Sequence, residues 1–328
     1  MPARRTLLLL VLAALLLMAG SLFLGRYPAP PGLAPLRLAR DPLARRLVWQ
    51  LRLPRLLAAF FTGAALSVSG LTMQMVFRNP LVEPGFLGVS QGAAFGAALA
   101  ILAGSASPWA VQASAALFAL GGLGMTYALA RRLRYGGWIL RMVLAGLAVS
   151  ALFAAGVGLL KYLADPLTQL PEIVFWLLGG LWGTRWSNLL SILPVTLTAL
   201  TLLVTLRWRL NLLVLGEETA FSLGARPGRE RLALLTVAVA ATAAVVSLAG
   251  MIGWVGLMVP HLARRLVGAN ARDALPAALW LGGAFTLLCD DLARTLTAGE
   301  IPLGILTALL GATAFVTLLS ARSSETAS

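Results

Sequence analysis

The chain has 328 residues and a formal net charge of +14. It is 59% hydrophobic and only 12% charged. A soluble domain carries about 25% charged residues, so this composition excludes an ordinary water-soluble fold and predicts an integral membrane protein. Arginine supplies nearly all the positive charge, and Lys161 is the only lysine. The arginines stand between apolar stretches, where they set topology and meet lipid headgroups. Nucleic acid is therefore not the partner this charge implies. One histidine and one cysteine leave no ordinary His/Cys metal site and no intrachain disulfide.

An all-α protein of about ten spans follows from apolar runs near the length of about 20 residues that a bilayer requires. The run 6–25 resembles a secretory signal but is longer than the usual apolar core of one, and reads as a retained first helix. Arg4 and Arg5 before it argue for a cytoplasmic start. A proline-bearing outer segment, 26–54, is arginine-rich against the positive-inside trend. Spans at 55–77, 84–103, 108–130 and 138–163 come next, and then a short interfacial segment, 170–186, with four Trp and Phe rings. Span 187–206 leads into the longest inside loop, 207–231. Spans 232–252, 254–268, 274–297 and 302–320 complete a single transmembrane domain over residues 1–328. Arginines at the turns of one side place both termini inside.

Small residues recur at four-residue spacing in three spans: Gly63 and Ser67; Gly146, Ser150, Ala154 and Gly158; Gly304, Ala308 and Ala312. Such stripes pack helices within a subunit, or meet a second copy or a pathway. The most irregular stretch is Gly250 to Pro276. Three glycines soften the backbone before Pro260, and Pro260 disfavours helix at Val259. Broken backbone in lipid must be covered by protein or line a cavity, so this stretch faces other helices or a pathway.

No G-x-x-x-x-G-K-[ST] occurs, so there is no P-loop. No catalytic constellation is evident either, and an enzyme is not expected. Acidic residues fall in turns or at span ends, except Asp290 and Asp291, which have Arg294 at i+4 and i+3. With no lone carboxylate deep in the membrane, ion coupling is disfavoured and an external energy source is favoured. The loop 207–231 is the natural place for it. Leu212 to Leu223 forms a short amphipathic helix stopped by Gly224. Glu217 and Glu218 face a partner or water, with Leu213, Leu215 and Phe221 plugging a partner's groove, or else the helix lies on lipid at the interface. Arg52 and Arg55 at the outer mouth read equally as headgroup anchors or as docking points for an acidic protein.

The motifs LRLPR (51–55), GAALSVSG (63–70), FRNPLVEPGFLGVSQGAAFG (77–96), FWLLGGLWG (175–183), LGEETAFSLG (215–224), GWVGLMVPHLARR (253–265) and EIPLGILTALLG (300–311) stand in order along the chain. Together they resemble the permease subunits of the iron-siderophore/haem/cobalamin family of type II ABC importers. The resemblance implies that family's permease fold and a homodimer in the bacterial inner membrane. It also implies two cytoplasmic ABC ATPase subunits that bind ATP and Mg, while this chain binds no cofactor or metal itself. A periplasmic or lipid-anchored binding protein would deliver the cargo. By motif position, Leu215, Gly216, Glu217, Glu218, Ala220, Leu223 and Gly224 couple to the ATPase. Arg52, Arg55 and Arg294 meet the binding protein. Gln74, Asn79, Pro80, Gln91, Pro260 and His261 belong to the pathway or inner gate, with His261 mainly structural. Trp254, the ANARD turn (269–273) and Thr313 depart from the family's pattern.

The expected function is import of a ferric siderophore, haem or cobalamin-type chelate, powered by partner ATPases. An ion-coupled secondary carrier is the alternative.

Overall fold

The stretch Leu53–Phe77 is apolar or small on every side, and a helix with no polar stripe belongs inside a bundle. In a computed structural model, which describes residues 3–25, 41–104, 107–215, 217–297 and 299–325, that helix is the central one. Between Pro42 and Phe77 its apolar stretch is 89% buried. Gly216 and residues 26–40 lie outside the described residues.

All regular structure among the described residues is helical. In chain order the helices are α1 (Ala3–Phe23), α2 (Pro42–Leu47), α3 (Leu53–Phe77), α4 (Val89–Leu102), α5 (Pro108–Arg132), α6 (Trp138–Leu163), α7 (Gln169–Leu178), α8 (Trp186–Thr205), α9 (Arg207–Val214), α10 (Glu217–Ser222), α11 (Pro227–Ala249), α12 (Val255–Val267), α13 (Ala271–Thr295) and α14 (Leu303–Glu325). Around α3 pack α13, α11, α12 and α8, while α4, α5 and α6 form a second group joined to it through α11.

Seven helical stretches among the described residues are long and apolar enough to cross a membrane. With α4, α12 and α14 they make up the ten expected spans. Several boundaries differ from expectation. The segment 26–54 is not all loop: Pro42–Leu47 is helical and runs through a π-helical stretch, Val48–Arg52, into α3. The span expected over 84–103 is two pieces, a 3-10 turn at Pro84–Leu87 and then α4.

Pro260 does not break its helix. It sits inside α12, and the break comes earlier, where Gly250 has φ +69° and Trp254 φ +70°. This opened backbone is covered, as lipid demands. A Cβ on Gly250 would lie 2.3 Å from the Trp176 carbonyl, and one on Gly304 would lie 2.4 Å from that of Leu178. The irregular strand is thus sealed between α7 and α14. At 1.5 Å per residue α12 is about 20 Å long, short of the roughly 30 Å of hydrocarbon, so the sealed break supplies the rest of the crossing.

Glycine contacts set the closest helix crossings. A Cβ on Gly63 would lie 2.0 Å from the Gly282 carbonyl, and one on Gly70 would lie 1.9 Å from that of Gly256. The Gly63/Ser67 stripe therefore packs within the subunit. In α6 the stripe divides. Gly146 lies against Phe86 and Leu87, whereas Gly158 has no atom within 4 Å of a Cβ, and Ala154 is exposed.

Candidate functional site

The loop end is built from α9 and α10. A single helix over 212–223 was expected; instead two short helices meet near Leu215. Leu213 was expected to point at a partner, but it is fully buried within the subunit because α9 packs on α3 and α13. Ala220 is also buried, while Leu215, Phe221 and Leu223 are exposed. Gly224, at φ +82°, provides the left-handed stop that the sequence indicates.

Polar ties hold this loop to three spans, and Arg209 of α9 also pairs with Glu230 of α11 at 3.2 Å. Arg78, itself left-handed at the end of α3 with φ +50°, donates from Nη2 to the Leu213 carbonyl at 2.8 Å. Asn211 accepts at Oδ1 from the Ala271 amide at 2.9 Å, which fastens α9 to the start of α13. Glu217 pairs with Arg231 of α11; the arginine side chain is only 3% exposed and the glutamate 67%. Glu218 is exposed and forms no ion pair among the described residues. Beside it lies a hollow of about 490 Å³ between Trp138, Phe221, Pro227 and Arg231.

The candidate pathway residues fall in three places. Gln74 and Pro260 are buried between α3 and α12. Pro260 has no N–H, so the Gly256 carbonyl four residues back loses its helical donor. Gln74 Nε2 approaches that carbonyl at 3.4 Å and the Leu257 carbonyl at 3.3 Å. Arg264 then donates to Gln74 Oε1 at 2.7 Å. His261 Nδ1 meets the Leu257 carbonyl at 2.8 Å, and its ring sits edge-on to Phe315 at 5.2 Å. These contacts give His261 a packing and bonding role.

Asn79 and Pro80 are exposed at the loop end of α3, where Asn79 Oδ1 accepts from the Leu81 amide at 2.9 Å. Gln91 lines a separate cavity of about 270 Å³ with Glu83, Ser90, Ser150 and Met251. Burial raises the Glu83 carboxyl above its ordinary range. Glu83 was not among the expected site residues; its signal in the sequence is a carboxylate held in a proline-flanked turn.

At the opposite end, arginines and carboxylates interlock. Arg55 reaches Asp290 at 2.9 Å and Glu300 at 2.9 Å. Arg294 pairs with Asp291, as its i+3 spacing suggests, and lies 3.7 Å from Asp290. Arg294 also donates to the Ser21 carbonyl at 2.9 Å and the Leu24 carbonyl at 3.0 Å. Arg52 donates to the Leu22 and Phe23 carbonyls at 3.1 and 3.2 Å. The three arginines expected at the mouth are thus gathered on one face, and each is also tied into the subunit. Sequence spacing reveals the Asp291–Arg294 pair but not Arg55–Asp290 or Ser21–Asp291, whose partners are more than two hundred positions apart.

A family model described as the FecCD transport family matches residues 8–321. The chain belongs to that family. A molybdate import system permease protein of Haemophilus influenzae is 40% identical over 95% of this chain and 93% of its own length. A hemin transport system permease protein of Yersinia pestis is 40% identical over 83% of each chain. A solved structure described as an inward-facing metal-chelate type ABC transporter superposes with a TM-score of 0.90 at 39% identity, covering 97% of this chain and 99% of that one. As a FecCD member with this fold, the chain is a multi-pass membrane permease of the ABC importer type. The loop is tied to α3, α11 and α13, the break before α12 is sealed, and the three arginines share the opposite face.

Proposed function

We propose that two copies of this chain form the membrane path of an importer for a ferric siderophore, or for haem or a corrinoid. ATP binding and hydrolysis in two cytoplasmic subunits would drive it. The observation that carries the mechanism is the three-way fastening of the loop 207–224. A push on α9 and α10 passes through Arg78 to α3, through Arg231 to α11 and through Asn211 to α13. Docking of the ATPase on exposed Leu215, Glu218, Phe221 and Leu223 would therefore move the spans around the path. At the other face, Arg52, Arg55 and Arg294 would receive carboxylates of a binding protein, where complementary charge speeds and orients encounter. In this reading both termini would lie in the cytoplasm of a bacterial inner membrane.

A second cargo, molybdate, is favoured by the relative named for it, which aligns over nearly the whole chain. The deciding experiment is uptake of labelled ferric siderophore, haem, cobalamin and molybdate by vesicles. These carry the permease with its ATPase and binding protein, beside an ATPase-dead control. One cargo whose uptake vanishes in the control is the expected result. Uptake that ignores the ATPase but stops with an uncoupler would overturn the proposal in favour of an ion-coupled carrier. Glu218→Arg tests the docking surface, because Glu218 has no internal pair to lose. Co-purification of the ATPase is expected to fall about tenfold, equivalent to about 1.4 kcal/mol.

A further inference from the structure

Helix α8 begins at Trp186 and ends at Thr205 beside the 207–224 loop. Its starting end therefore marks the opposite face of the membrane. There a cavity of about 660 Å³ lies between Trp109, Phe175, Trp176 and Trp182, with Glu172 and Arg185 in its wall. Aromatic rings at this depth suit the headgroup layer. Glu172 and Arg185 are both exposed, and neither forms an ion pair among the described residues. A cation and an anion without an internal ion pair thus line one cavity.

A second hollow of about 240 Å³ shares Trp109, Gln112 and Ser247 with the first. It continues along Ala113, Ala116 and Leu120 of α5, Ile192 and Val195 of α8, and the alanines of α11. Its polar atoms near the junction are satisfied within the protein. Gln112 Nε2 donates to Ser191 Oγ at 2.9 Å, and Ser191 Oγ donates to the Asn188 carbonyl at 2.6 Å. What remains of the hollow is apolar. From Trp109 to Leu120 it descends about 16 Å at the helical rise, which is about half of the roughly 30 Å hydrocarbon core, or one leaflet.

We propose that the two hollows together hold one glycerophospholipid with a zwitterionic head, of the phosphatidylethanolamine type. The phosphate lies by Arg185, the ammonium by Glu172, and one acyl chain follows the alanine floor between α5 and α8. The charge pair matches this head, and the depth matches a chain of one leaflet. A water-soluble chelate would have no use for an apolar groove opening off the cavity. Residues expected to meet the cargo, the ATPase or the binding protein play no part, so the proposal stands apart from the transport reading.

The test uses the full chain in vesicles of phosphatidylethanolamine and phosphatidylglycerol. A trace of phosphatidylethanolamine carries a photoactivatable diazirine on its acyl chain, and adducts are mapped by mass spectrometry. Adducts in wild type are expected to concentrate on 113–120 and 192–195, well above the exposed Leu152 of α6. Ala116→Phe fills the groove and is expected to reduce groove labelling about tenfold, the effect of about 1.4 kcal/mol. Arg185→Gln is expected to reduce it severalfold for phosphatidylethanolamine. Ala113→Phe, at an exposed position, repeats the groove test should Ala116→Phe fold poorly. Groove labelling no higher than at Leu152, or unchanged in all three variants, would overturn the proposal. So would labelling displaced by a ferric chelate but not by excess unlabelled phosphatidylethanolamine.

Discussion

Gln74 shows how one side chain closes a gap left by another. Pro260 frees a carbonyl, and Gln74 faces it from the neighbouring helix while accepting from Arg264. A leucine in its place would leave the Arg264 guanidinium and the Gly256 carbonyl without this partner. Gln74→Leu is expected to lower stability by about 1–3 kcal/mol, read as an earlier melting transition in detergent. Glu83 makes the second residue-level case. Its carboxyl is raised by burial, so the folded state holds its proton more tightly than the unfolded state does. Its contribution to stability is greatest below the unfolded value and is lost as pH rises through the folded one. Glu83→Gln is therefore expected to raise the melting temperature at pH 8 relative to wild type and to narrow the difference between pH 5 and pH 8. An unchanged pH profile would show that Glu83 titrates normally.

At the scale of elements, the small-residue stripes divide by what they face. Gly70 meets the backbone of α12 so closely that a methyl group would lie 1.9 Å from a carbonyl oxygen, whereas Gly158 has open space. Gly70→Ala is expected to cost about 1–3 kcal/mol as an overpacked contact and to reduce the yield of folded protein. Gly158→Ala is expected to leave the protomer's melting unchanged. Gly63, spaced four residues from Ser67 as Gly158 is from Ala154, would likewise put a methyl group 2.0 Å from a backbone carbonyl, so only the neighbouring element separates the two stripes. Similarly, the loop's amphipathic pattern was legible, but its division into α9 and α10 was not. Leu213 turns inward because α3 and α13 offer it a buried seat.

Across the whole molecule, the two membrane faces are held by different chemistry. The loop face is fastened by hydrogen bonds and by two partly exposed ion pairs, Arg231–Glu217 and Arg209–Glu230. On the opposite face, Arg55, Asp290, Asp291, Arg294 and Ser21 form a connected network joining α1, α3 and α13. Removing one charge there leaves its partners buried without compensation. Asp290, only 1% exposed, is the sharpest case. Asp290→Asn is expected to destabilise by about 3 kcal/mol, while Glu300→Gln at the more exposed rim is expected to cost less than about 1 kcal/mol. Equal melting shifts for the two variants would mean that burial does not govern this network.

The sequence by itself determined the helical membrane class, the order of the long apolar helices, the short aromatic segment before α8, the loop with its glycine stop and the Asp291–Arg294 pair. Each rests on local period, composition or short spacing, which one chain displays directly. Only the tertiary structure decided that Pro260 stays within a helix while the break falls at Gly250 to Trp254, because a distant glutamine faces the freed carbonyl. It also decided that Arg55 is shared by Asp290 and Glu300, and that α5, α8 and α11 leave a groove one leaflet deep. Such features depend on which helices touch, and contacts between positions far apart in the chain leave no periodic trace in a single sequence.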